Sequence, residues 1–316
     1  MSSITAPPTI TDDKSPHVIP FLLARLAAHR EQHAAAGTAP PPFFLGLNGV
    51  QGAGKTTLVS TLATTLRAPP YALTTAVLSL DDFYLPHAAL TALAESTSNP
   101  LLQHRGQPPT HDLVLGASVF DALKSRAPVA LPQYDKSAYA GQGDRADPAT
   151  WERVNEGEEK IAVVVFEGWS VGFKSLEEKE VEAKWVAARK AEDEAERKGE
   201  QGAGQLGKHK LWDLLEVNEA LRSYDVFTDA LDAFVHIDAE DTRYVYAWRL
   251  EQEAALRASK GTGMTDEQVI SFVNGYYPAY ELYSPSLRRG LFASNTGAQM
   301  RLVVGRDRMI KKVEVI

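Results

Sequence analysis

The chain of 316 residues contains no cysteine, which excludes disulfide bonds, thiolate metal sites and cysteine nucleophiles. It also contains no apolar segment near the roughly 20 residues that a membrane-spanning helix needs. Segment 1–14 is rich in Ser, Thr and Pro, and it has neither the apolar stretch of a signal peptide nor the arginines of a transit peptide. These absences favour a cytoplasmic protein without a membrane partner.

An excess of basic residues is also absent, since 33 Lys and Arg stand against 41 Asp and Glu and give a net charge of −8. Binding to nucleic acid depends on neutralising phosphates with Lys and Arg, so we expect no nucleic-acid partner. A small anionic ligand needs only a local positive site and is compatible with this balance. With 44% hydrophobic residues, the chain is long enough to bury a sizeable core. The sequence contains no signature of its oligomeric state.

Short apolar segments with the pattern of strands alternate with segments of helical periodicity. The predicted strands cover 43–47, 76–80, 128–131, 162–166, 234–237 and 301–304. The predicted helices that separate most of them cover 57–66, 113–124, 211–223, 242–259 and 265–273. Several strand segments are apolar throughout, as expected for strands covered on both faces. The pattern therefore predicts an α/β fold in which a parallel β-sheet is flanked by helices on both faces.

Two segments lie outside this alternation. Residues 1–40 are expected to form an N-terminal extension with a helix over 20–33, which ends before the proline run 40–42. Segment 175–210 contains nine Asp or Glu and eight Lys or Arg residues, and its later part is rich in glycine. We predict a solvated, charged insertion there, with an exposed helix that carries i,i+4 ion pairs and a mobile loop after it.

Segment 49–56 matches the phosphate-binding pattern G-x-x-x-x-G-K-[ST], with a predicted strand before it and a predicted helix after it. Its glycines allow backbone N–H groups to turn towards phosphates, and the helix N-terminus adds partial positive charge. Lys55 is placed to reach the β- and γ-phosphates, and the Thr56 hydroxyl can bind magnesium. The pattern predicts ATP and Mg²⁺ as cofactors. The residues predicted to bind the nucleotide are Gly49, Gln51, Gly52, Ala53, Gly54, Lys55, Thr56 and Thr57.

Acidic residues follow two of the predicted strands, at the edge where an open parallel sheet binds its ligands. Segment 76–80 runs into Asp81 and Asp82, and segment 162–166 runs into Glu167. A kinase needs a group that takes a proton from the acceptor hydroxyl and a further anchor for magnesium. The guanine-binding Asn-Lys-x-Asp, the switch Asp-x-x-Gly and the transporter Leu-Ser-Gly-Gly-Gln motifs are absent. The sequence thus favours a kinase over a GTPase or a transporter ATPase.

Segment 81–84, Asp-Asp-Phe-Tyr, resembles the Asp-x-Phe-Tyr element of the superfamily that contains uridine kinase, phosphoribulokinase and pantothenate kinase. Further segments resemble the D-glycerate 3-kinase family of plants and fungi with its yeast relatives. They are 46–57, 79–86, 99–113, 131–145, 165–173, 217–224 and 248–253. The resemblance implies a P-loop NTPase fold, as a kinase domain over 41–316 with a helical lid at about 243–290. It also implies D-glycerate as the phosphoryl acceptor.

The resemblance implies roles for the acidic residues as well. Asp81 is similar to the general base of the family, and Glu167 to the acidic residue that orients magnesium directly or through water. Asp82 is then a second magnesium ligand or a pocket residue, and which of the two aspartates is the base stays open. Arg105 and Arg145 are expected to hold an anionic hydroxy acid, because a carboxylate suits the guanidinium fork. The residues implied to contact the acceptor are Asp81, Tyr84, Arg105, His111, Asp112, Tyr134, Asp135 and Arg145.

Two side-chain patterns have a structural as well as a functional interpretation. Arg249 and Arg257 lie near one face of a predicted helix, where they can form ion pairs or close over the γ-phosphate. The match of 248–253 to the family favours a catalytic Arg249, whereas ion pairing is expected for Arg257. His104 and His111 lack the spacing of a zinc site, so His111 is expected to orient the pocket through hydrogen bonds.

The sequence therefore predicts an ATP-dependent small-molecule kinase with D-glycerate as its acceptor. Segment 103–106, Gln-His-Arg-Gly, favours a small acid over a ligand that carries a base. Two alternatives stay open: a kinase for another acceptor, such as a nucleoside or pantothenate, and an ATP-binding regulator without efficient transfer. The intact Asp81, Glu167 and phosphate loop favour an active enzyme.

Overall fold

The computed structural model describes residues 12–316 with the exception of 201, 203, 262 and 293–295. Its α-helices are α1 Ser15–Ala35, α2 Lys55–Arg67, α3 His87–Ser96, α4 Leu113–Lys124, α5 Glu178–Lys198, α6 Leu211–Arg222, α7 Asp225–Thr228, α8 Tyr244–Lys260 and α9 Asp266–Arg289. Its β-strands are β1 Phe43–Gly49, β2 Thr75–Ser79, β3 Val129–Leu131, β4 Tyr134–Asp135, β5 Asp144–Arg145, β6 Glu152–Val154, β7 Val163–Gly168, β8 Ala233–Ala239, β9 Gln299–Val304 and β10 Ile310–Val315.

Six strands form the central sheet in the order β10-β9-β8-β1-β7-β2. Neighbouring strands are parallel from β9 to β2, and β10 pairs with β9 in the antiparallel direction. Every residue of β1 and β8 is buried, as expected for strands that helices cover on both faces. The predicted α/β fold with a mostly parallel sheet between helices is therefore confirmed.

The predicted strand at 128–131 does not belong to the central sheet, which corrects its assignment. It forms β3, which pairs antiparallel with β6 in a separate two-stranded sheet. Val129 and Ala130 are only half-buried and Pro132 follows directly, so the segment is too short and too open for a central position. The sixth strand of the central sheet is instead β10, which the sequence did not predict. Its charged residues suit the edge of a sheet.

Two helices are longer than their patterns predicted, because tertiary packing extends them. α1 begins before residue 20, and its residues Val18 and Leu22 are fully buried in the same core as the sheet. α9 continues well past 273 through Pro278 and Pro285, since burial of the surrounding side chains outweighs the missing backbone hydrogen bonds. Among the residues described, none of the helices combines the length with the apolar composition needed to cross a bilayer.

The charged insertion is partly packed against the body of the protein. Val181 of α5 is fully buried, and the Trp185 indole donates to the His209 carbonyl oxygen at 2.8 Å. After these residues α5 is mostly exposed, as predicted for a solvated helix. Leu206 is buried, and the backbone of Gly207 lies against α5. The end of the predicted mobile loop is therefore a packed turn, and residues 201 and 203 lie outside the described part.

Candidate active site

The phosphate loop joins β1 to α2 in a conformation that favours glycine. Gly52 and Gly54 have φ angles of +83° and +97°. A Cβ atom on Gly52 would lie 2.5 Å from the Cβ of Trp248, so the loop packs too closely for a side chain there. The N–H of Gln51 donates to the Tyr280 hydroxyl at 3.4 Å. The loop is thus held in place, and it leads into the N-terminus of α2, whose free N–H groups favour a phosphate.

The side chain of Lys55 lies along the phosphate loop. Its ammonium group donates to the carbonyl oxygens of Gly49 at 2.7 Å and Val50 at 3.3 Å. Burial lowers the pKa of Lys55, whereas the nearby carboxylates of Glu167 and Asp81 act in the opposite direction. Lys55 therefore faces both the loop and the acidic ends of β2 and β7.

Glu167 lies at the carboxyl end of β7, level with Leu47 of β1 and Ser79 of β2. Thr56, in the first turn of α2, is exposed. Magnesium is usually held by one or two carboxylates together with phosphate oxygens and water. A carboxylate and a hydroxyl beside the phosphate loop fit that requirement, so Thr56 and Glu167 are the residues that would hold the ion.

Asp82 connects the end of β2 to the start of β4. Its two carboxylate oxygens accept hydrogen bonds from the N–H of Ser79 at 3.4 Å and of Tyr134 at 3.2 Å. Burial raises the pKa of Asp82 to about 6, although the two N–H groups oppose the shift. Because backbone N–H groups occupy both of its oxygens, Asp82 positions the loop at 134. This arrangement favours Asp81 over Asp82 as the general base.

Asp81 has a different environment. One oxygen, Oδ2, accepts from the ammonium of Lys136 at 2.6 Å. The other, Oδ1, is buried and has no hydrogen-bond partner among the described residues. Burial opposes ionisation of Asp81, but the positive charges of Lys136 and Lys55 hold its pKa below the ordinary value. Asp81 is thus a carboxylate with an unoccupied oxygen beside the phosphate loop lysine, which suits a general base.

His111 and Tyr84 stack at the wall beside Asp81. Their ring centroids are 4.3 Å apart, and His111 Nδ1 lies 2.6 Å from the Tyr224 hydroxyl. Burial lowers the pKa of His111 to about 3, so its ring is neutral near pH 7. Its Nε2 is buried without a partner among the described side chains. Burial and the charge of Asp81 raise the pKa of Tyr84, which stays a phenol. This wall offers neutral polar groups to a ligand.

Arg145 and Asp112 form an ion pair with each other. An Arg145 Nη donates to Asp112 Oδ2 at 3.0 Å and to the Tyr84 carbonyl oxygen at 3.1 Å. Asp112 Oδ1 accepts from the N–H of Leu115 at 2.9 Å and caps α4. Both residues therefore have structural partners in this arrangement, while the role in acceptor binding predicted for them stays a prediction.

Arg105 packs against Tyr134 at the same site. Its guanidinium lies 5.8 Å from the Tyr134 ring centroid, and it donates to the carbonyl oxygens of Gly141, at 2.7 Å, and Gln142. Tyr134 is buried, and its hydroxyl has no hydrogen-bond partner in the described part of the chain. Arg105 thus holds the loop 139–143 around the tyrosine.

Asp135 belongs to a local turn. Its carboxylate accepts from the N–H of Ser137 at 2.8 Å and from the hydroxyl of Ser137 at 2.6 Å, and these hydrogen bonds lower the pKa of Asp135. The side chain is exposed. Among the described residues that the sequence predicted to contact the acceptor, Asp135 is the one that the structure does not bring into the cluster around Asp81.

Arg249 of α8 faces the phosphate loop. Its guanidinium donates to Gln252 at 3.0 Å and lies 5.3 Å from the Phe272 ring centroid, while its Nε is buried without a described partner. The charge of Arg249 contributes to the lowered pKa of Lys55. Arg249 also lies 3.7 Å from the carboxylate of Glu253, one turn further along α8. Arg257 pairs with Asp266 at 2.7 Å, in agreement with the ion pairing expected for it.

Two residues near the phosphate loop were not predicted from the sequence. Lys136 contacts Asp81, although 55 residues separate the two in the sequence. Arg308, in the turn between β9 and β10, donates to the Gly52 carbonyl oxygen at 2.8 Å and to Glu251 of α8 at 2.6 Å. No local pattern indicates either contact, since both depend on how distant segments meet.

The carboxyl edge of the sheet brings together a phosphate loop, its lysine and acidic side chains, and the protein is a kinase of the P-loop class. No family profile matches the chain. An uncharacterized kinase of Schizosaccharomyces pombe, mug58, is 40% identical over 249 residues, which cover 78% of this chain and 82% of that protein. The chain belongs to the family that contains this fungal kinase and the D-glycerate 3-kinases.

The D-glycerate 3-kinases provide both a sequence relative and a structural neighbour. The chloroplastic D-glycerate 3-kinase of Arabidopsis thaliana is 37% identical over 257 residues, 79% of this chain and 50% of that longer protein. The solved structure of D-glycerate 3-kinase from Cryptococcus neoformans has a TM-score of 0.84 at 35% identity and covers 97% of this chain and 100% of that one. The resemblance to a P-loop kinase family inferred from the sequence is confirmed.

Proposed function

We propose that the protein is a magnesium-dependent ATP kinase that transfers the γ-phosphoryl group to a hydroxyl of D-glycerate. The observation that carries the proposal is the position of Asp81, a carboxylate with a buried, unoccupied oxygen next to the phosphate loop lysine. The names of the relatives in Arabidopsis thaliana and Cryptococcus neoformans support D-glycerate as the acceptor.

The proposed mechanism assigns a role to each group along the phosphate loop. The loop N–H groups and Lys55 hold the β- and γ-phosphates, and Thr56 and Glu167 hold magnesium. When bound, the ion neutralises charge on the transferring phosphoryl group. Asp81 takes the proton of the acceptor hydroxyl as its oxygen attacks the γ-phosphorus in line. Arg249, in the lid region at about 243–290 and next to the Trp248 that packs on the phosphate loop, contacts the γ-phosphate.

The groups around Asp81 favour a small anionic hydroxy acid. Tyr84, His111 and Tyr134 are buried polar groups that can hydrogen-bond a hydroxyl, and Arg105 and Arg145 add positive charge close by. The groups around Asp81 therefore suit an acidic ligand better than a neutral one. A cytoplasmic location and the absence of a nucleic-acid partner stay predictions from the sequence.

The test is ADP release by the purified protein with Mg·ATP in the presence of D-glycerate, uridine, pantothenate or no acceptor. We expect strong stimulation by D-glycerate alone. Stimulation by uridine or pantothenate instead would show that the protein is a kinase for a different acceptor. If ATP binds and none of the three compounds stimulates ADP release, the proposed substrate is wrong and a regulator without efficient transfer is favoured.

A further inference from the structure

The ammonium group of Lys136 is the positive charge in contact with the proposed base. It lies 2.6 Å from Asp81 Oδ2, and its side chain is 56% exposed, whereas that of Asp81 is 24% exposed. An ion pair of this kind is weak, because solvent screens the charges and the long side chain pays an entropic cost to hold one position. Another anion that enters the site can therefore replace Asp81 as the partner of Lys136.

The backbone on both sides of Lys136 is fixed. The N–H of Tyr134 donates to Asp82 at 3.2 Å, and Ser137 closes a turn onto Asp135. Further along, Arg105 holds the carbonyl oxygen of Gly141 at 2.7 Å. The backbone of Lys136 is thus held at a defined position beside the acceptor pocket. Only its flexible side chain has to move for the ammonium group to reach a new partner.

The other cations of the pocket are already engaged. Arg145 is bound to Asp112 and to the Tyr84 carbonyl oxygen, and Arg105 is bound to backbone carbonyl oxygens. Moving either arginine would break several hydrogen bonds, whereas Lys136 has the single described partner Asp81. Among the described cations near Asp81 outside the phosphate loop, Lys136 is the one that a substrate carboxylate can recruit at the lowest cost.

We propose that Lys136 recognises the carboxylate of the phosphoryl acceptor and that it leaves Asp81 when the acceptor binds. This inference rests on the proposed function. Before binding, Lys136 covers one oxygen of the base. After binding, the acceptor carboxylate holds the ammonium, and Asp81, no longer paired with a positive charge, is a stronger base for the hydroxyl proton. The proton passes to Asp81 while the new O–P bond forms and the bond to the ADP oxygen breaks.

The arrangement couples recognition to activation of the base. An acceptor without a carboxylate leaves Lys136 on Asp81, so it is phosphorylated poorly even if its hydroxyl fits. Water, which carries no charge, is disfavoured as an acceptor for the same reason. Lys136 is therefore expected to determine specificity for acids and to limit hydrolysis of ATP in the absence of an acceptor.

The test compares D-glycerate with glycerol, which has the hydroxyl groups but no carboxylate. Lys136→Met should raise KM for D-glycerate and lower the ratio of kcat/KM for D-glycerate over glycerol, each by about tenfold or more. KM for ATP should change less than about twofold, since the phosphate loop is untouched. ATP hydrolysis without an acceptor should increase. Lys136→Arg should restore part of the ratio, because it restores the positive charge.

Lys190→Met is the matched control, because Lys190 is an exposed lysine of the charged helix α5. It should leave all four quantities unchanged. If D-glycerate stimulates the wild-type protein and Lys136→Met keeps the wild-type ratio over glycerol, the proposal for Lys136 is wrong and the proposed function stands. If D-glycerate does not stimulate the wild-type protein, both are wrong.

Discussion

Asp81 and Asp82 are adjacent in the sequence but have different neighbours in the structure. Asp82 accepts two backbone N–H groups, and Asp81 pairs with Lys136 while one of its oxygens stays unoccupied. The sequence predicted that carboxylates would follow β2, because apolar strands of a parallel sheet end at the binding edge. It could not distinguish the two residues, since the distinction depends on where the distant segment at 134–136 folds.

Asp81→Asn tests the assignment of the base. An amide cannot accept the proton of the acceptor hydroxyl, so we expect kcat to fall by about 10²–10⁴-fold while the Kd for ATP stays nearly unchanged. Steady-state ADP release and equilibrium ATP binding measure the two effects. Asp121→Asn, at an exposed position of α4 outside the cluster, is the control and should keep kcat within about twofold. Near-normal turnover of Asp81→Asn would show that Asp81 is not the base.

Burial of His111 makes the free energy of unfolding depend on pH. Its folded-state pKa of about 3 lies below the ordinary 6.5, so its stabilising contribution is complete above pH 6.5 and is lost as the pH falls. At about pH 5 the loss amounts to about 2 kcal/mol. Urea unfolding at about pH 7 and pH 5 should therefore show a steeper loss of stability for the wild-type protein than for His111→Asn. Equal losses in the two proteins would contradict a buried neutral His111.

At the scale of elements, the turn between β9 and β10 supports the phosphate loop. Arg308 donates to the Gly52 carbonyl oxygen and pairs with Glu251 of α8, and its guanidinium lies 5.4 Å from the Trp248 ring centroid. The phosphate loop itself was predictable from a local pattern. Its support was not, because Arg308 lies far along the chain and acts through a contact that only the assembled sheet creates.

Arg308→Met should therefore weaken ATP binding. Loss of a charged hydrogen bond of about 1.5 kcal/mol corresponds to a Kd for ATP that is about tenfold higher. Arg306→Met is the matched control, because Arg306 also pairs with Glu251 at 2.8 Å. Binding measured with a fluorescent ATP analogue should distinguish the two variants. If both bind ATP as tightly as the wild-type protein, Arg308 does not position the loop.

The helix α5 provides a test of how far the charged insertion is packed. Val181 is fully buried, whereas Val186 on the same helix is 52% exposed. Val181→Ala should lower the free energy of unfolding by about 2 kcal/mol through the cavity that it leaves. Val186→Ala should change it by less than about 0.5 kcal/mol. Equal effects in urea unfolding would show that α5 does not pack against the body in solution.

For the whole molecule, the sequence predicted the parts that depend on local patterns. The apolar segments of β1, β2, β7, β8 and β9 were found because strands covered on both faces need continuous apolar runs. The edge strand β10 and the extension of α9 were missed, because an exposed edge tolerates charge and tertiary packing can override proline. Pairing between distant segments is not encoded in any single window of sequence.

Asp238 illustrates such a long-range link. Its buried carboxylate accepts hydrogen bonds from Arg288 of α9 and from Arg301 of β9, at distances of 2.6–2.9 Å. These ion pairs hold the C-terminal end of α9, which lies in the predicted lid, against the central sheet.

The most direct measurement is ³¹P NMR of the purified protein with Mg·ATP and D-glycerate. The proposed function predicts that the ATP resonances are replaced by those of ADP and of 3-phospho-D-glycerate in equal amounts, and that Asp81→Asn produces neither at a comparable rate. If ATP is bound and yields only ADP and inorganic phosphate, or if D-glycerate stays unmodified, the protein is not a D-glycerate kinase.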